Sequence, residues 1–465
     1  MQPNPVVFSV ILIVALACFA WSCYQRFRLI LLGGPEDRFR PVGARLWAML
    51  VYVFGQKRVV QRPYGVNHFI IFWSFIILML ANGEFLIKGV VPALSLSRLP
   101  APLYHGLLLV FEIFSLLALI SVTLGMARRL FFAPEYLGTS YAKARSGEAF
   151  LILGFIESLM IAYFLLHACE IALGHETAGA WMPVSALLAA GLKDLSPGAL
   201  EAIGAAAWWI HALVLLVFLN LLPRSKHMHI LTALPNCYFK SLDKPIVLPR
   251  ENYARGGAFG VARVDQFTWK DLFDSYACAE CGRCQDVCPA THTGKPLNPR
   301  QVVHDIKINL LKNGPALWKK QAPATPLIQP AGEATATAVH APGAASAPVA
   351  EGTNSTDALW SCTTCGACVE VCPVCIEHLP KIVQMRRSLV EMESRFPEEL
   401  LNLFENMEQR SNPWGIAPAD RAKWAATMDI KPFEAGKTEY LFYVGCAGAF
   451  DARNKHVTVA MATIL

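Results

Sequence analysis

The chain has 465 residues, of which 54% are hydrophobic and only 16% charged, and its formal net charge is +6. Soluble domains average roughly 25% charged residues, so an entirely soluble protein is excluded, the more so because the long apolar runs are confined to residues 1–235. No arginine-rich tract or aromatic platform accompanies the modest positive charge, which speaks against a nucleic-acid partner.

Five apolar runs reach the roughly 20 residues that cross a bilayer: about 5–24, 66–90, 103–125, 149–173 and 203–222. The first lacks a basic n-region and an A-x-A site, so it reads as a retained anchor rather than a signal peptide. The stretches 42–54 and 181–192 are too short to span and are expected at the interface or in loops. Positive charges cluster after the first run (Arg26, Arg28, Arg38, Arg40, Arg45, Lys57, Arg58, Arg62), the third (Arg128, Arg129, Lys143, Arg145) and the fifth (Arg224, Lys226). The other connections carry only Arg98 and Lys193. By the positive-inside rule the N-terminus lies outside and everything beyond residue 223 lies on the cytoplasmic face of the inner membrane.

Ionisable groups inside apolar runs are costly and often functional. His68 sits near the inner end of span two, and His105 and His167 near the outer ends of spans three and four. His211 lies in span five, with His227 and His229 beyond its inner end. On one continuous helix, His211 and His229 would share a face about 27 Å apart, with His227 roughly 160° away, unless Pro223 kinks the helix between them. That arrangement suits axial ligation of b-type haem, with His68 and His229 as an inner pair and His211 joined by His105 or His167 in an outer one. Glu84, Glu112, Glu157 and Glu170 also fall in spans; they can carry protons to a quinone, although for Glu84 and Glu170 a structural pairing is the better reading.

The second half carries CAECGRCQDVCP at 278–289 and CTTCGACVEVCP at 362–373, both C-x2-C-x2-C-x3-C-P. Three cysteines of each run wrap one [4Fe–4S] cube, the glycine letting the loop approach, while the fourth ligates the other cube. Cluster one is therefore assigned Cys278, Cys281, Cys284 and Cys372, and cluster two Cys362, Cys365, Cys368 and Cys288. Zinc prefers two separate C-x2-C pairs. Cys375 can be an alternative ligand, a redox thiol or, the favoured reading, an unligated neighbour; Cys18, Cys23, Cys169 and Cys237 read as packing thiols. Residues 322–356, rich in Ala, Pro, Thr and Gly, read as a disordered linker. The segments 298–313 and 380–394 read as helices.

On these residues a resemblance appears. The five spans, with His68, His211 and His229, resemble the cytochrome b subunit of respiratory nitrate reductase and of membrane heterodisulfide reductase, whose haems lie between the second and fifth spans. That family has a second histidine on span two about three turns on; here Leu78 and its neighbours are apolar, so an outer haem would draw on His105 or His167. CPATHTGKPLNPRQVV and CPVCIEHLPKIVQMRR resemble heterodisulfide reductase-related iron–sulfur proteins, and TEYLFYVGCAGAFDARNKHVTVAMATIL resembles the start of their CCG domain. The resemblance implies Cys446 as the first CCG cysteine; the absence of any later cysteine reads as a fragment or an incomplete gene product.

The expected architecture is an all-α membrane bundle of five transmembrane helices (1–235), an α-helical two-[4Fe–4S] ferredoxin domain (236–321 and 357–396, interrupted by the linker), and the start of a truncated α/β CCG domain (397–465). The fusion resembles membrane oxidoreductases that link electron-transferring flavoprotein to menaquinone, implying electron flow from the flavoprotein through the clusters and haem b to menaquinone or ubiquinone. Two alternatives stand beside it: a heterodisulfide reductase-like thiol/disulfide oxidoreductase, and a non-catalytic electron-relay subunit. No nucleotide or flavin fingerprint and no hydrolytic triad is present.

Overall fold

The computed structural model describes residues 3–133, 146–244, 248, 251, 253, 257–331, 349–431 and 433–465. Lys143, Arg145 and positions 332–348 of the expected linker lie outside the described residues. Residues up to Ser388 form one compact unit and Leu389–Leu465 a second.

In the first unit five helices are long and apolar enough to cross a membrane: Pro5–Ile30, Gly65–Val90, Ala101–Phe131, Gly147–Ala172 and Pro197–Arg224. These are spans one to five, and each contains or closely matches an apolar run read from the sequence. Span one begins on the side chain of Asn4, which accepts from the Val6 and Val7 amides, satisfying donors that a helix start leaves open. Span one packs on two and five, span two on three, three on four, and four on five. Small residues permit the close approaches: a Cβ on Gly89 would meet the Phe8 ring at 2.6 Å, and Ala168 and Ala212 are fully buried. Elsewhere the spans turn large apolar side chains outward, among them Val6, Ile13, Met79 and Val217, the face that lipid covers. The short apolar stretches form the helices Val42–Met49, continued by a π-turn Leu50–Phe54, and Pro183–Leu192.

One expectation about span five fails. Its α-helix stops at Leu221, passes through 3₁₀ turns at Leu222–Arg224 and Lys226–Met228, and restarts as His229–Tyr238. Pro223 has no amide hydrogen to continue the ladder. The rings of His227 and His229, placed on opposite faces by a straight helix, therefore lie 5.5 Å apart.

The cysteine-rich half joins this bundle at its arginine-rich end within one compact unit, not as an independent domain. After span one the chain turns at Gly33-Gly34; Gly34 exchanges backbone hydrogen bonds with Phe267 and Trp269 at 2.8 and 2.9 Å. A Cβ on Gly33 would lie 2.6 Å from the Trp269 nitrogen, so a larger residue there would push the halves apart. Below this contact sits a buried ionic network. Lys381 Nζ donates to Asp274 (2.6 Å) and Asp271 (2.8 Å), Lys270 Nζ to Asp274 at 2.6 Å, and Asn236 Nδ2 to Asp274 at 2.9 Å. Arg38 forms a two-point pair with Glu377 at 3.0 and 2.9 Å. Lys270, Asp274 and Lys381 are all essentially inaccessible to solvent.

The predicted helices 298–313 and 380–394 are seen as Pro299–Trp318 and His378–Arg387, the latter continuing as a π-turn. The described flanks of the expected linker are ordered rather than disordered. Asn309 donates to the carbonyls of Thr325, Pro326 and Gly352, Gln329 and Asn354 pair through their backbones, and Leu327 and Ile328 are buried. Composition had masked two apolar anchors and the asparagine that receives them.

In the second unit the described residues form the helices Leu400–Arg410, Gly445–Phe450 and Ala452–Ile464, with a 3₁₀ stretch at Pro418–Ala425. The α/β expectation for 397–465 is not met: across the described residues the β-pairings are isolated bridges, Gly34–Thr268 and Ile328–Asn354.

Candidate iron–sulfur site

The two cysteine loops repeat one backbone geometry. Gly282 and Gly366 take left-handed φ of 78° and 75°, and two residues earlier Glu280 and Thr364 take φ of 54° and 55°. Alternating hands of this kind curl the chain so that successive amides face a common concavity, a nest suited to anionic sulfur. A short helix follows each glycine, Arg283–Asp286 and Ala367–Val371, and ends just before the fourth cysteine. Substituting Gly366 by alanine is expected to cost about 1–2 kcal/mol and to reduce cluster content after anaerobic reconstitution, read as iron per chain.

The fold places cysteines of the two runs near one another. Cys278, Cys281, Cys284 and Cys372 line one cavity with Arg300 and His378. Burial pushes the Cys278 thiol up to about 12 and raises those of Cys284 and Cys372 well above the ordinary thiol value, and the neighbouring thiols of the same set add to it. In the other set burial raises Cys362 and Cys368, the latter to about 12, and both feel Cys288 and Cys365. Bare, these thiols stay protonated; a bound cationic core is what lets such a set ionise. Among the described residues no three Cys, His, Asp or Glu groups converge on a single ion.

Basic side chains fasten the loops. Arg300, fully buried, donates to the Glu280 carbonyl (3.2 Å) and to Gln285 Oε1 (2.8 Å). Arg386 donates to the carbonyls of Leu359 (2.8 Å) and Cys362 (2.6 Å). Arg58, from the loop between spans one and two, reaches the carbonyls of Val369 (3.2 Å) and Cys372 (3.0 Å). Arg283, inside the first cysteine run, returns hydrogen bonds to the carbonyls of Arg58 and Val59. These four arginines were missed in the sequence, where each is one basic residue among 41; the only hint was the recurrence of an arginine on the helix after each run. Cys375 does not line the cavity. Its sulfur lies 3.6 Å from Arg58 Nη1, and hydrogen bonding from Cys237, with Arg58 and Lys240 nearby, lowers its thiol.

The histidines divide into two groups. His229 Nδ1 donates to the Lys226 carbonyl at 2.9 Å, which fixes the tautomer and leaves Nε2 available, as in histidines that ligate metal. Burial, then His229, then nearby cations hold His227 down to about 2, with His68 among the groups that act on it. His227 Nδ1 is buried without a hydrogen-bond partner. His68 is exposed and makes only a 3.5 Å contact to Gln56 Oε1. These three rings at the inner end fit a haem. At the outer end His211 Nε2 lies 2.9 Å from Asn82 Oδ1, and its Nδ1 lies 3.1 Å from the Leu159 carbonyl. His105 stacks on Trp181 at 5.3 Å, and His167 lies 3.3 Å from Glu170. The acids follow suit. Glu84 accepts from Ser95 and the Leu96 amide, Glu112 is buried on Ser185, and Glu157 meets Thr123 at 3.4 Å. In the second unit Cys446 has Arg421 Nη1 3.4 Å from its sulfur.

Comparison with known proteins agrees with this geometry. The family profile of the 4Fe-4S dicluster domain matches residues 277–376, the stretch holding all eight cysteines. The chain is 30% identical to the "Probable iron-sulfur-binding oxidoreductase FadF" of Bacillus subtilis, over 99% of its own length and 67% of that protein. It is 32% identical to the EtfAB:quinone oxidoreductase of Syntrophomonas wolfei, over 98% of its own length and 65% of the relative. A "Probable membrane-anchored ferredoxin" of Chromohalobacter salexigens is 38% identical over 44% of the chain and 30% of that protein. No solved structure matches. The chain thus spans about two thirds of the length of its first two relatives. With five apolar helices fused to a dicluster domain, and with likeness along its whole length, the chain belongs to the family of iron–sulfur-binding oxidoreductases that includes FadF.

Proposed function

We propose that the chain carries electrons from electron-transferring flavoprotein to a membrane quinone, menaquinone or ubiquinone. The observation that carries this reading is the gathering of Cys278, Cys281 and Cys284 with Cys372 of the second run around one cavity, in a chain with five membrane-length helices that is a relative of an EtfAB:quinone oxidoreductase. Cys278, Cys281, Cys284 and Cys372 would hold one cluster, and Cys362, Cys365, Cys368 and Cys288 the other. His68 and His229 would hold one haem b, with His227 beside it. When bound, these groups supply one-electron transfer. The chain's own part is to fix their positions: Arg300 and Arg386 clamp the loops, Arg58 and Arg283 lock them to the bundle, and His229 keeps its Nε2 free through Lys226. The positive-inside count supports a cytoplasmic cysteine-rich half in the inner membrane. Cys446 is read, on resemblance alone, as the first cysteine of a CCG site.

The test is anaerobic. Reduced electron-transferring flavoprotein mixed with reconstituted protein and a soluble menaquinone analogue should bleach the iron–sulfur absorbance and yield quinol. No bleaching with the flavoprotein, while dithionite still bleaches, would sink the proposed donor. For the haem, His229→Ala and His68→Ala should each abolish the reduced b-type α-band in solubilised membranes, whereas His211→Ala should retain it.

A further inference from the structure

Where span one leaves the bundle, a second cavity opens. It is about 310 Å³ and lies between the last turns of span one, the end of span five and the helix Pro299–Trp318. Arg26, Arg28 and Arg224 line it with Ser22 and Gln25, Leu311 supplies an apolar wall, and no acidic residue takes part. Arg224 Nη2 donates to Ser22 Oγ at 2.9 Å, leaving its other nitrogens free of that bond. Arg28 Nε is buried without a hydrogen-bond partner. Three guanidinium groups drawn together without a carboxylate repel one another and gain from a shared anion. Their planar forks match phosphate oxygens.

The depth of the cavity identifies the anion. Trp21 and Tyr24, one turn earlier on span one, are both more than half exposed and their rings stack at 5.7 Å. Amphipathic rings at the end of a span mark the headgroup level, and basic pockets between spans on the cytoplasmic side receive anionic lipid headgroups. We propose that this cavity binds the phosphate of an anionic phospholipid, its acyl chains running along the exposed face of span one. The lipid then touches both spans and the helix of the cysteine-rich half, and strengthens their union.

Full-length protein in a neutral detergent tests this. Phosphatidylglycerol should raise the unfolding temperature and survive as a bound lipid in native mass spectrometry, and phosphatidylcholine should do neither. Replacing Arg26, Arg28 and Arg224 by Gln together should weaken phosphatidylglycerol binding by about tenfold or more, while Lys57→Gln, an exposed basic residue on the same side, leaves it unchanged. Arg28→Gln alone, read the same way, serves if the triple variant does not fold. Equal responses to both lipids, or variants that bind like the parent, would overturn the proposal. An equal rise with inorganic phosphate at matched concentration would assign the site to a free anion and overturn the lipid.

Discussion

Cys372→Ser is expected to empty cluster one and spare cluster two, although Cys372 belongs to the second cysteine run. Iron and acid-labile sulfide should fall from about eight each per chain to about four, and the lost EPR signal should be the one also lost in Cys278→Ser. Cys288→Ser should mirror this, removing the signal shared with Cys362→Ser. The reason is spatial: Cys372 lines the cavity of the first run, while the thiols of Cys362 and Cys368 feel Cys288. If Cys372→Ser and Cys362→Ser abolish the same signal, each loop holds its own cluster and the crossed assignment is wrong.

Asp274→Ala should be the most damaging change outside the cysteines. Burial alone would raise the Asp274 carboxyl, but Lys270 and Lys381 overcome it and hold it below the ordinary range. Removing the acid leaves two buried ammonium groups without their shared partner, and breaking a buried pair in this way costs about 3–5 kcal/mol. A group whose folded pKa is depressed contributes stability that is fully present above its unfolded pKa, about 3.9, and is lost as pH falls through the lower folded value. The parent should therefore lose stability on acidification below about pH 4, and Asp274→Asn should show a smaller loss over that window. Chemical unfolding of the detergent-solubilised protein at several pH values measures both. A variant as stable as the parent at pH 7 would show that the network is not holding the unit together.

Much of this was legible in the chain. Apolar run length reports membrane spans directly, because the bilayer sets a minimum that few other constraints imitate. The cysteine spacing was equally informative, since a rigid cube demands fixed loop geometry; Gly282 and Gly366 occupy the left-handed positions their place in the motif implied. The errors came where distant segments decide. The shared-face argument for His211 and His229 assumed one helix, and a single proline and two 3₁₀ turns undid it. Nothing in the run that holds His211 indicated that Asn82, on another span, lies 2.9 Å from its Nε2. The flanks of 322–356 looked disordered by composition, yet Asn309 collects three of their carbonyls. The contacts of Arg58 and Arg283 join residues more than 200 positions apart, and no local pattern announces those.

The contacts of Arg58 and Arg283 have a mechanical consequence. Arg58 grips backbone of the second cysteine run and Arg283, in the first run, grips backbone of Arg58's segment, so the loop entering span two is braced to both cysteine runs. A half held this way cannot swing out on a tether, collect charge and return. Any soluble donor must instead come to a stationary port, and the rate of encounter at that port, rather than a domain excursion, becomes the quantity that ionic strength and donor concentration control.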